Sequence, residues 1–191
     1  MSAEVPPPHH GPGGRFRNPW RNEPPEPDGG DIVKWSWQRF RSELPPDPLP
    51  GELPKGEPAV ARPRLEAGSE GEARLTWVGQ ATFLVQLPGL NVLTDPVFGG
   101  RASPLPWAGP KRFTAPGLAL AELPPIDVVV LSHDHYDHLD RPSVRRLAKE
   151  HPGATWYTPL GYRRWLGRRG VERVVELDWW EDASHGGDSG A

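Results

Sequence analysis

His133-Asp134-His135-Tyr136-Asp137-His138 puts three imidazoles and two carboxylates into six residues. It directly follows Ile126-Asp127-Val128-Val129-Val130-Leu131, an apolar, β-branched run that reads as a buried strand. Side chains alternate along a strand, so a short continuation of it is expected to project His133 and His135 to the same side. A turn at Asp137-His138 would aim that adjacent pair at a second ion. Imidazole with carboxylate is borderline nitrogen/oxygen ligation, which suits zinc and, less selectively, iron or manganese.

The chain has no cysteine, so disulfides and thiolate metal sites are excluded and histidine and carboxylate remain as the strong ligands. A net charge of −3 and a pI near 6.2 give no overall basic field to recruit nucleic acid. No apolar run approaches the ~20 residues that span a bilayer, and the first residues lack a secretory signal pattern. A cytoplasmic protein is expected, with contact at a membrane surface left open.

At 191 residues the sequence predicts one folded domain with chain left over. Residues 1–72 hold 15 of the 26 prolines, which forbids a sheet interior there and predicts an extended arm, docked in part or disordered. Within it, Ile32 to Phe40 predicts a short helix with Ile32, Val33, Trp37 and Phe40 roughly on one side. His9 and His10 are metal-capable, but so near a terminus they are expected to have no role.

From residue 73 the pattern tightens. Ala73–Val78, Thr82–Leu87 and Leu90–Thr94 predict an antiparallel meander with turns at Gly79-Gln80 and Pro88-Gly89. Residues 97–125 form a long loop that is expected to wall the site, with Lys111 and Arg112 as candidate contacts for an anionic substrate. Asp140 predicts the N-cap of a helix over Arg141–Lys149. Strands at 154–158 and 171–177 flank a second helix built on Tyr162, Trp165 and Leu166. The result is an α/β layered domain, of the α+β kind, with a mixed sheet over 73–181. Residues 182–191 lack periodicity and read as a tail.

Thr76 to Glu181 resembles the metallo-β-lactamase fold superfamily, and within it the N-acylphosphatidylethanolamine-hydrolysing phospholipase D family. The resemblance is carried by Thr94-Asp95-Pro96, Arg101-Ala102-Ser103-Pro104, Gly109-Pro110-Lys111-Arg112-Phe113, Glu122 to Asp127, Ser132 to Asp140, and Glu176-Leu177-Asp178-Trp179-Trp180-Glu181. Phe16-Arg17-Asn18-Pro19-Trp20 also looks like the family's N-terminal arm.

This resemblance implies an αββα sandwich with a two-zinc site at one edge. His133 and His135 would hold one zinc and Asp137 and His138 the other, with Asp137 and His138 also counted as catalytic. Asp95 would orient a ligand histidine from behind. Water activated between the metals would attack a phosphodiester, releasing phosphatidic acid and an N-acylethanolamine from a phospholipid at a membrane surface.

Two departures bear on that expectation. The family's remaining ligands, a histidine, a bridging aspartate and a last histidine, belong to a second half of the fold that this sequence does not reach. Gln80 stands where relatives often have histidine. The chain is therefore expected to be an N-terminal half, truncated or frame-shifted, with weak or no activity alone and an apolar sheet face left for association. His185 and Asp188 in the tail are not expected to replace the missing ligands, because no strand precedes them. The alternatives are a hydrolase of another anionic substrate, a lactone or sugar phosphate, and a non-catalytic metal-binding fragment.

Overall fold

The computed structural model describes residues 7–20, 29–42, 46, 48–49, 52–53, 56, 60, 62, 64–66 and 71–186. They fall in two compact units, Met1–Pro46 and Asp47–Ala191.

The first unit is more than an extended arm. A 3₁₀ turn at Pro12–Gly14 folds the chain back, and Arg17 N donates to His9 O at 2.9 Å. Helix α1 spans Gly29–Arg41. The expected apolar side of α1 differs in the structure. Val33 and Trp37 are exposed, and the Arg41 guanidinium stacks 4.0 Å over the Trp37 ring. The side chains of Ile32 and Phe40 lie outside the described residues.

The second unit is built on one six-stranded sheet whose spatial order follows the chain. Strands β1 (Arg74–Gly79), β2 (Thr82–Leu87) and β3 (Leu90–Thr94) form the antiparallel meander. Strands β4 (Val128–Val130), β5 (Thr155–Pro159) and β6 (Arg173–Leu177) then add in parallel. Parallel neighbours need crossovers. Helices α2 (Arg141–Glu150) and α3 (Arg163–Gly167) supply two of them.

Both helices pack on one face. Val144 and Leu147 of α2 and Leu166 of α3 join Leu84, Leu93, Val129, Trp156 and Val174 in the core. That face also buries polar side chains at inward positions of the meander. Gln86 and Asn91 are fully buried and bonded to each other at 2.9 Å, and Asn91 Nδ2 reaches Pro125 O at 2.7 Å. Each donor so satisfied escapes the penalty of a buried orphan.

The opposite face carries Leu75 and Trp77, 67% and 63% exposed, beside the half-buried Phe83, Val85 and Val92. The sheet is thus apolar on both sides, and α2 and α3 cover only one of them.

The folded unit reaches further back than residue 73. Leu65 is buried and forms a bridge with Pro88. Arg64 grips Asp127 with both terminal nitrogens, one of them at 2.7 Å from Oδ1. A fork of this kind, with an apolar neighbour, docks the end of the arm despite its prolines. Among the described residues no helix is long and apolar enough to cross a membrane.

Candidate metal centre

Strand β4 ends at Val130, three residues before the first histidine. The cause is local. Leu131 N still donates to Tyr157 O on β5, but Ser132 N donates to Asp95 Oδ1 at 2.8 Å, so a side chain takes the next backbone donor and the ladder stops. His133 and His135 therefore do not share a side through continued strand geometry. The loop brings them together instead, with ring centroids 4.5 Å apart. A turn closed by His138 N and Leu139 N on His135 O then returns His138, whose ring lies 4.1 Å from that of His133.

Asp95 organises this cluster. It ends β3 with φ +34°, an uncommon conformation that aspartate tolerates better than most residues, and it is nearly buried. Its Oδ2 accepts from Ser132 Oγ at 2.7 Å and lies 2.9 Å from His138 Nδ1.

These contacts fix two tautomers. An ionised carboxylate only accepts, so His138 carries its proton on Nδ1. The Ser132 hydroxyl has one proton and gives it to Asp95, so toward His133 Nδ1, at 2.9 Å, it accepts. Both imidazoles therefore keep the Nε2 lone pair for a ligand. The sequence assigns no role to Ser132; its only signal is its place immediately before His133.

Asp137 stands beside this group, with Oδ2 at 3.8 Å from His138 Nε2 and 3.5 Å from Gln80 Nε2. The structure thus gathers three imidazoles with Asp137 adjacent. Gln80, in the β1–β2 turn with φ +56°, reaches the same edge.

The two cations of the long loop part company. Lys111 is exposed at the rim of a groove next to the cluster. Arg112 is half-buried and lines the hollow it shares with Gln80 and Asp137. Its Nη2 donates to Val97 O at 2.7 Å and its Nε to Gly99 O at 3.1 Å, and burial lowers its pKa despite nearby Asp140. These two bonds hold the loop in shape.

The same loop is tied to α2 at Asp140, which caps the helix by accepting from Ser143 N and also accepts from Gly99 N, each at 3.2 Å. A Cβ on Gly99 would fall 3.0 Å from both carboxylate oxygens, which accounts for glycine there.

His185 lies by Tyr157 of β5, Nδ1 to Oη 3.3 Å. Asp188 is outside the described residues. His9 and His10 pack edge to face at 4.6 Å in the first unit.

The donor chemistry fits a borderline divalent ion, with two Nε2 lone pairs fixed from behind, a third imidazole and a carboxylate. Matching of the chain to known proteins agrees on the class. The family described as the beta-lactamase superfamily domain matches residues 90–190, more than half of the sequence, and the chain belongs to that superfamily.

Among its relatives, N-acyl-phosphatidylethanolamine-hydrolyzing phospholipase D 1 of Caenorhabditis elegans is 43% identical over 120 residues, which cover 60% of this chain and 34% of that protein. An uncharacterized protein of Mycobacterium tuberculosis is 39% identical over 155 residues, covering 80% of this chain and 39% of that one. A metal-dependent hydrolase of Koribacter versatilis is 32% identical over 108 residues, covering 55% of this chain and 39% of that one. The chain spans between a third and two fifths of the length of these relatives.

Proposed function

We propose that the chain carries the metal-binding loop of a hydrolase that cleaves the phosphodiester of N-acyl phospholipids. The observation behind this reading is the hydrogen-bond network in which Asp95 engages His138 directly and His133 through Ser132, which readies two imidazoles as ligands. The similarity to the C. elegans phospholipase, 43% identical over 120 residues, supports the choice of substrate.

His133, His135, His138 and Asp137 would hold the metal, zinc being the ion the donors suit best. When bound, such an ion acidifies water and polarises a phosphoryl oxygen. Asp95 holds the Nδ1 proton of His138 and keeps that ring from turning. Ser132 does the same for His133. Gln80 lies close enough to Asp137 to hold its carboxylate in place. The apolar outer sheet face, with Leu75 and Trp77, offers a surface for a lipid bilayer or for association with a further layer of protein.

The test is metal content after dialysis, followed by release of N-acylethanolamine from N-acylphosphatidylethanolamine vesicles. Retained zinc that His133→Ala abolishes, together with release, supports the reading. No bound zinc removes it. Bound zinc with hydrolysis of a lactone or sugar phosphate, but not of the phospholipid, transfers it to another substrate class.

A further inference from the structure

A groove of about 1270 Å³ runs from Asp134 and Tyr136, in the histidine loop, along α2 to α3. Its charge is lopsided. Arg101, Lys111, Arg141, Arg145 and Arg169 line it against two carboxylates, Asp134 and Asp140. Asp140 is already engaged by Gly99 N and by the amide and hydroxyl of Ser143.

The cations at the α2–α3 end lack acidic partners. Among the described residues, neither Arg141 nor Arg145 pairs with a carboxylate, whereas Arg146 on the same helix bonds Glu150 at 3.1 Å. Arg169 is held by the fold rather than by an acid. Its guanidinium stacks 3.3 Å over the Trp165 ring, and its Nη1 donates to Trp165 O at 2.6 Å. Its Nε is buried with no hydrogen-bond partner, a costly state for a charged donor. Burial first, then the fields of Arg141, Arg145 and Arg168, lower its pKa. Like charges gathered around an unsatisfied donor repel unless an anion joins them.

The wall beside them is apolar and aromatic. Leu160, Tyr162 and Trp165 line it, as do Pro104 and Leu105. Burial, with the nearby Asp134 charge, pushes the Tyr162 phenol up to about 12, so it stays a hydrogen-bond donor.

We propose that this groove is an anion-recognition subsite distinct from the histidine cluster, in which Arg141, Arg145 and Arg169 take a phosphate group and the Leu160–Trp165 wall takes an apolar body attached to it. Arginine forks suit phosphate oxygens, and the groove is far larger than a bare phosphate requires. The proposal goes beyond the hydrolase reading and does not depend on a metal. A phospholipid head and a free organic phosphate share this chemistry.

The test is calorimetric titration of the 191-residue chain with inorganic phosphate and with lysophosphatidic acid below its micelle concentration, with and without chelator. Binding that survives the chelator, falls at least tenfold in Arg141→Gln/Arg145→Gln, and is unchanged in Arg146→Gln is the expected result. Lysophosphatidic acid at least tenfold tighter than phosphate identifies a lipid ligand; equal affinities identify a small phosphate. Absence of binding, loss with chelator, or indifference to the double substitution overturns the proposal. Both substituted arginines are solvent-exposed, so a matching melting curve is expected and keeps the comparison fair.

Discussion

Asp95 Oδ2 lies 2.9 Å from His138 Nδ1, and the same carboxylate takes both the amide and the hydroxyl of Ser132. Three donors thus converge on two oxygens. Asparagine has one oxygen, so Asp95→Asn must turn its NH2 toward at least one of those donors. Zinc affinity, read by titration against a chromogenic chelator, is expected to fall by about 10- to 100-fold with the sheet intact. Unchanged affinity would mean that Asp95 serves the fold alone.

Acid should loosen the docked end of the arm. Burial works to raise the Asp127 pKa but is outweighed by hydrogen bonds from Arg64 and Asn91 N and by the Arg64 charge, so the carboxyl sits below its ordinary value. Glu176 is likewise lowered, chiefly by the Arg163 amide. A carboxyl depressed on folding stabilises above its unfolded pKa, and that share is lost as pH falls through the folded value. Melting temperature is expected to drop as pH goes below about 4. Asp127→Asn should flatten that drop, and Arg64→Ala should cost about 1 kcal/mol at neutral pH, since the pair is partly solvated. A profile identical in wild type and Asp127→Asn would refute the assignment.

Trp156, on β5, is among the largest fully buried side chains. It packs in the core between the sheet and its two helices. Trp156→Ala removes that volume from a region closed on all sides. A loss of about 3–5 kcal/mol in urea unfolding is expected. A loss under about 1 kcal/mol would show that the core collapses to refill the space.

The outer sheet face predicts a colloidal phenotype. Trp77 and Leu75 are exposed on β1, an edge strand, where apolar side chains invite pairing with another chain. Trp77→Lys should leave stability within about 0.5 kcal/mol of wild type while raising the temperature at which light scattering begins. Earlier aggregation in the lysine variant would count against the face as the sticky surface.

Much of the architecture is legible along the chain because its signals are local. Alternation in Thr82–Leu87 and Leu90–Thr94, the Pro88-Gly89 turn and the Asp140 cap each depend on neighbours in sequence. So do the helices over Val144–Leu147 and at Leu166. The candidate ligands are legible for the same reason, being packed into six residues after an apolar run. The hydrogen bonding of Arg112 is not. A Lys-Arg pair in a polar loop looks solvated until the loop's own carbonyls, from Val97 and Gly99, fold around it. The docking of Arg64 on Asp127 spans 63 residues and leaves no trace in a proline-rich arm.

By itself, then, the sequence determined the superfamily, the order of strands and helices, and which side chains can bind metal, since each rests on residue type and short spacing. Tertiary structure alone decided how they meet. Only folding sets Asp95 against Ser132 and His138 and so fixes two imidazole tautomers. Only the packing of α2 beside α3 crowds Arg141, Arg145 and Arg169 into one groove. Hydrogen bonds and charge fields act through space, and those separations are made by the sheet rather than by the chain.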